Sequence, residues 1–124
     1  MPSTSFIKVG SILAFLAVAA GAFGAHGLKN ILSPQMLEVY HTAVDYHMWH
    51  AIGLLIIGLI QQHKPSSLLS KSAYFMLAGI TLFSGSLYAM SLSGYKMLGI
   101  ITPIGGICLL IAWALLAMAS TKSN

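Results

Sequence analysis

Apolar residues along this chain gather into four long runs, with polar residues confined mainly to short segments between them. The first run, 6–25, carries Lys8 near its start and no other charge. Twenty helical residues at a rise of about 1.5 Å cover about 30 Å, the hydrocarbon thickness of a bilayer, so a membrane-crossing helix is expected here. Ala20, Gly21 and Ala22 resemble a signal-peptide cleavage site. The run is nevertheless long, has a single lysine in front and stays small and apolar past that point, so an uncleaved helix is expected.

Ser33 and Pro34 open the second element, with Ser as N-cap and Pro at the first helical position, and helical character continues over 34–62. Its uncharged, histidine-free part is only 51–60, about 15 Å of helix and half of what a bilayer requires. To cross, the helix must carry residues back to about Thr42 into the membrane. Asp45, Tyr46, His47 and His50 then lie inside it. The third run is 72–92 and the fourth 97–119, joined by a tight turn at Ser93, Gly94, Tyr95 and Lys96. Pro103 falls one turn into the fourth run, where it opposes the carbonyl of Gly99 and predicts a kink. The pattern predicts an all-α, integral membrane four-helix bundle forming one domain over 1–124.

Composition agrees with that reading. Of 124 residues, 57% are hydrophobic and 6% charged, whereas soluble domains carry about 25% charge to face water. A chain this short cannot hide so much apolar surface in an aqueous fold. The net charge of +4 sets six lysines and no arginine against Glu38 and Asp45, and the lysines are scattered singly beside the runs as membrane-boundary anchors rather than clustered as a nucleic-acid patch, so no nucleic-acid partner is expected. With four crossings, Lys8, Lys64, Lys71 and Lys122 share the side of both termini, against Lys29 and Lys96 opposite. That bias predicts cytoplasmic termini. Cys108 is the only cysteine, which excludes an intrachain disulfide and a cysteine-rich metal site.

Helices in lipid associate through small residues that let backbones approach. Helix 1 offers Ala17, Gly21 and Ala25 at four-residue spacing, and helix 3 offers Thr81, Gly85 and Ala89, with Ser93 next in the series. These faces are expected to pack helices, within the bundle or between subunits of a homo-oligomer.

Parity of the crossings fixes depth. The end of helix 1, the start of helix 2, the end of helix 3 and the start of helix 4 share one leaflet. His26, Glu38, His41, Asp45, His50, Tyr88, Ser91 and Thr102 therefore gather near one membrane face. An ionised Asp45 facing lipid would cost about 3 kcal/mol, so it is expected to turn inward, with His41 one turn earlier as its nearest partner. Glu38 and His41 have the Glu-x-x-His spacing of a di-iron helix, but that site needs a second such motif and more acids, so no metal site is expected. Haem between two histidines such as His26 and His50 is geometrically feasible and otherwise unsupported, so no cofactor is expected. Proton movement through Asp45 and the histidines lacks a charged residue at mid-depth on helices 3 and 4. The simplest account has the polar groups satisfying one another. Trp49, Trp113, Met76, Met90 and Met118 read as packing or lipid-facing groups.

Gly21 through Lys29, which reads Gly-Ala-Phe-Gly-Ala-His-Gly-Leu-Lys, resembles the hallmark of the YgdD-type membrane proteins, the family known as domain of unknown function 423, to which animal transmembrane protein 256 is similar. The resemblance extends through Ala43, Val44, Asp45 and Tyr46 with His50, then Phe83 to Tyr88, then Thr102 to Gly106 with Trp113, and so covers nearly the whole chain. The family pattern has Ala where this chain has Gly27, and Gln where it has His47, which argues against an essential role for His47. The resemblance implies a four-helix inner-membrane protein and brings no activity, substrate, cofactor or catalytic residue. Its motif positions coincide with the polar cluster. One pocket formed by His26, Tyr46, His50, Tyr88 and Thr102, with His41 and Asp45 beside it, is therefore expected. The leading functional expectation is a non-enzymatic accessory or small-ligand-binding bundle, alone in the lipid bilayer, as a homo-oligomer or with a membrane-protein partner. A proton-linked channel or transporter component ranks second and a haem or metal redox protein third.

Overall fold

The computed structural model describes residues 1–121; Lys122, one of the lysines in the charge bias, lies outside the described residues. Four helical rods are long and apolar enough to cross a membrane: α1 (Ser3–Leu28), α2 (Pro34–His63), α3 (Ser67–Ser93) and α4 (Lys96–Thr121). Each exceeds its apolar run because polar first and last turns continue the helix beyond the hydrocarbon. Ser33 caps α2 by accepting from the Met36 amide at 3.2 Å, with Pro34 at the first position, as the Ser-Pro pair predicts. Ser66 caps α3 in the same way through the Leu68 amide, which starts that helix at Ser67 rather than at 72. Gly94 ends α3 in the left-handed conformation (φ 76°), where a side chain would be strained.

Three irregular turns interrupt the rods. α1 closes in a π-helical turn, Gly24–Leu28, and α3 contains another, Ile80–Ser84. α4 begins as a 3₁₀ turn, Lys96–Ile100, and becomes α-helical at Thr102. Pro103 therefore sits in the first turn of the α-helix, where its missing N–H costs nothing, and the kink expected further inside the helix takes the form of this change in helix type.

Neighbours in sequence are neighbours in space: α1 packs along α2, α2 along α3, and α3 along α4. α2 and α3 are the inner pair, with 44% and 39% of their most apolar windows buried, against 17% for each of α1 and α4. Small residues set the close contacts. Phe6, Gly10, Ala17, Gly24 and Leu28 are the buried positions of α1, and Gly10, Ala17 and Gly24 repeat every seven residues. That is the period of a left-handed helix pair. A Cβ on Gly10 would lie 2.9 Å from the Leu55 amide nitrogen, and one on Gly58 would lie 3.0 Å from the Ile7 nitrogen, so the α1 and α2 backbones touch. Gly79 and Gly105 do the same for α3 and α4, facing Leu109 and Phe83.

The bundle has two chemically distinct halves. Toward the termini the core is apolar, built from Phe6, Leu54, Ile57, Leu69, Ala73, Met76 and Ala112. Toward the α1–α2 connection it becomes polar and aromatic.

Candidate functional site

The polar half contains a seam and a cleft on different sides of α2. In the seam, the Tyr40 hydroxyl donates to the Ala20 carbonyl of α1 at 2.5 Å, and its ring meets that of Tyr88 edge-on at 5.4 Å. Tyr88 Oη lies 2.8 Å from His47 Nδ1, with the two rings also edge-on. His47 thereby joins α2 to α3 while the Leu13 carbonyl of α1 flanks its ring. Its Nε2 is buried and has no hydrogen-bond partner among the described residues. Gly24 makes room for Tyr40, because a Cβ there would lie 2.9 Å from Cδ1 of that ring. Ser84 adds a further link, its hydroxyl donating to the Ala43 carbonyl at 2.8 Å. Apart from that one nitrogen, these groups find partners inside the protein, as buried polar groups in lipid must.

The cleft lies between α2, α3 and α4 and has a volume of about 510 Å³. Tyr46, Trp49 and His50 form the α2 wall, Phe83 comes from α3, and Pro103, Gly106, Ile107, Leu109, Leu110 and Trp113 come from α4. Trp49, Ile107 and Leu110 are exposed at its mouth, while His50 is 5% exposed. The His50 Nδ1–H donates to the Tyr46 carbonyl one turn earlier at 2.7 Å. A carbonyl oxygen only accepts, so Nδ1 carries the proton, and Nε2 of the neutral ring is a bare lone pair. No bond engages Nε2 among the described residues, and that atom keeps some accessible surface, unlike Nε2 of His47. The ring lies nearly parallel to Tyr46 (13°, 5.9 Å) and edge-on to Trp113 at 5.7 Å, with Tyr46 against Phe83 at 4.5 Å. The volume and the apolar lining with one buried polar group are those of a small-molecule site.

The π turn of α3 supplies both features. An extra residue over Ile80–Ser84 rotates the rest of α3 by about 100° relative to a continuous α-helix. Phe83 then lines the cleft, Ser84 bonds α2, and Ser86 reaches Thr102 of α4 at 2.6 Å.

Of the residues singled out from sequence, Tyr46 and His50 share the cleft. Tyr88 belongs to the seam, and Thr102 is held by Ser86. His26, His41 and Asp45 are exposed on the outside of the bundle and are not brought to either feature. Glu38, His41 and Asp45 share one stripe of α2 that continues into exposed Ile52 and Ile56 and faces away from the neighbouring helices, whereas Trp49 on the same stripe lines the mouth of the cleft. Asp45 therefore does not turn inward, because the opposite face of α2 holds the small residues Ala43, Ala51 and Gly58 that let neighbours approach. Ala17 packs in the α1–α2 contact, and a Cβ on Gly21 would meet Val44 at 3.4 Å, but Ala25 is exposed. Thr81 and Ala89 are exposed, and a Cβ on Gly85 would have nothing within 4 Å. Sequence reasoning passed over Tyr40, and met Phe83 and Ser84 only as part of the family motif, without a place in the site. Applying the small-residue rule to α2 would have pointed to the face that carries Tyr40 and His47. Among the described residues, no three His, Cys, Asp or Glu side chains come together as ligands for a metal.

Known proteins similar to this chain share its character as a membrane protein. A profile of the family described as "Protein of unknown function (DUF423)" matches residues 20–106. The chain is 44% identical over 119 residues to the "UPF0382 membrane protein YwdK" of Bacillus subtilis (strain 168), covering 94% of this chain and 96% of that one. It is 43% identical over 117 residues to a "UPF0382 membrane protein" of Staphylococcus epidermidis, covering 94% and 95%. It is 44% identical over 117 residues to the "UPF0382 membrane protein SAB0533" of Staphylococcus aureus, at the same coverage. No solved structure matches the chain. Tyr46 and His50, the polar rings that line the cleft from α2, both fall within the profile.

Proposed function

The chain belongs to this DUF423 family of membrane proteins of unknown function, and from that premise we propose that it binds a small lipid-soluble molecule without transforming it, in the cleft between α2, α3 and α4. The observation that carries the reading is the cleft itself: about 510 Å³, walled by aromatic rings, with His50 as its one buried polar side chain among the described residues. Non-polar walls retain a ligand by dispersion and area, and a single polar group orients it. The site has no nucleophile paired with a base and no constellation of acids, so binding is the chemistry its side chains support. Its mouth opens between two membrane-crossing helices near their middles, so the ligand enters from the hydrocarbon. The lysine bias supports cytoplasmic termini in the plasma membrane.

The test is to purify the protein in mild detergent and identify retained small molecules by mass spectrometry, beside the variant Gly106→Leu. Gly106 lines the cleft, and a Cβ there meets only the Phe83 ring, at 3.7 Å, so a larger side chain fills the space without touching backbone. Retention of a stoichiometric apolar molecule by the wild type and its loss from the variant support the reading. Equal retention by both, or none by either, overturns it.

A further inference from the structure

We infer that the molecule bound in this cleft is a neutral, flat-ringed compound bearing a hydroxyl, of the phenol or hydroquinone class, whose O–H donates to His50 Nε2. The inference rests on the binding reading above and deepens it. Three observations select the class. The first is the direction of the hydrogen bond. Because the Tyr46 carbonyl fixes the proton on Nδ1, the remaining ring nitrogen of His50, the one nine-tenths-buried polar side chain lining the cleft among the described residues, accepts and cannot donate. A ketone, quinone or ether oxygen would set lone pair against lone pair there, whereas a hydroxyl pairs. Tyr46, Trp49 and Trp113 carry donors of their own, but they stand at the half-buried or exposed rim.

The second observation is charge. No Lys, Arg, Asp or Glu lines the cleft, so an ionised ligand would lose its hydration with nothing to replace it. The third is shape. His50 and Tyr46 lie nearly parallel, with Trp113 edge-on to His50 and Phe83 tilted against Tyr46. Aromatic walls at such angles favour a planar partner that can stack on one ring and meet another with its edge. An aliphatic alcohol satisfies the first criterion and gains nothing from the third.

Both tryptophans of the chain, Trp49 and Trp113, line the cleft, so intrinsic fluorescence reports on it directly. The protein in lipid nanodiscs is titrated with 2-naphthol, its methyl ether and naphthalene, each corrected for partitioning into the lipid. The expected result is saturable quenching by 2-naphthol at a concentration about tenfold below that for the other two, the ratio for one hydrogen bond to a neutral acceptor. His50→Phe should bring the three together, and Gly106→Leu should abolish saturable quenching by all of them. If the three probes bind alike in the wild type and Gly106→Leu blocks them, the hydroxyl inference is overturned while the cleft remains a binding site. If no probe quenches saturably, or Gly106→Leu leaves the quenching intact, the binding reading falls and takes the inference with it. The wild-type contrast decides the matter even if His50→Phe does not fold.

Discussion

Gly105 and Gly106 are adjacent in sequence, both in the first turns of α4, and the structure assigns them opposite responses to the same substitution. A Cβ on Gly105 would lie 2.7 Å from both the Leu82 carbonyl carbon and the Phe83 Cα, with the Phe83 amide nitrogen nearer still. Reaching ordinary contact at 3.4 Å requires α4 to retreat from α3 by more than the roughly 0.7 Å that these two carbons demand, because the amide nitrogen is nearer. The obstruction is backbone, so no side chain can rotate away to absorb it. Overpacking of this kind costs about 1–3 kcal/mol, and the better helix propensity of Ala returns about 0.5–1 kcal/mol. Gly105→Ala is therefore expected to destabilise the bundle by about 1–2 kcal/mol. At Gly106 the new methyl meets only the Phe83 ring, 3.7 Å away, so Gly106→Ala is expected to stabilise by about 0.5 kcal/mol. Reversible unfolding by sodium dodecyl sulfate in mixed micelles, followed by circular dichroism, measures both. If the two variants shift together, or Gly105→Ala is neutral, then the close α3–α4 approach at Phe83 is not what holds the cleft wall in place.

The seam gives two further outcomes and the exposed face of α2 a third, and the same unfolding assay checks all of them. His47→Gln should change stability by less than about 0.5 kcal/mol, because the amide oxygen can accept from the Tyr88 hydroxyl and its N–H can turn toward the Leu13 carbonyl; His47→Leu strands that hydroxyl and should cost about 1–3 kcal/mol. Tyr40→Phe removes one interhelical hydrogen bond and keeps the ring, so about 0.6 kcal/mol is expected, while Gly24→Ala drives a methyl into that ring and should cost more. Asp45→Asn, on an exposed side chain, should stay within about 0.5 kcal/mol of wild type, and a larger loss would show that Asp45 has a partner.

The number, order and approximate span of the helices could be read from run lengths alone, since lipid fixes how much apolar helix a crossing needs. That polar groups gather toward one end of the bundle was legible too, because parity of the crossings brings those helix ends together. What stayed hidden was rotation about each helix axis. On α1, Ala17 and Gly21 suggested continuation to Ala25 by fours, but a seven-residue repeat puts Gly24 in the contact and turns Ala25 outward. On α3, the π turn resets the angular register between Thr81 and Gly85, and no spacing rule in an α-helix anticipates an inserted residue. On α2, the cost of Asp45 in lipid argued for an inward turn, while the small residues Ala43, Ala51 and Gly58 on the opposite face decided the orientation. His50 was legible as a polar group of the polar half of the bundle. That its ring lines a cleft with the proton held on Nδ1 depends on the bond to Tyr46, which the sequence does not reveal.

The arrangement of two outer helices around two inner ones also bears on how the protein enters its membrane. The outer rods α1 and α4 are the more apolar pair, while α2 and α3 carry the histidines, tyrosines and serines of the seam. A nascent segment partitions from the translocation channel into lipid according to its own hydrophobicity, and each less greasy segment here is joined in sequence to a greasier one by a connection of a few residues. Each half of the chain can therefore leave the channel as a preassembled hairpin, with the richly apolar helix carrying its polar companion. In that order of assembly the docking of the two hairpins along α2 and α3 comes last, and it would complete the cleft.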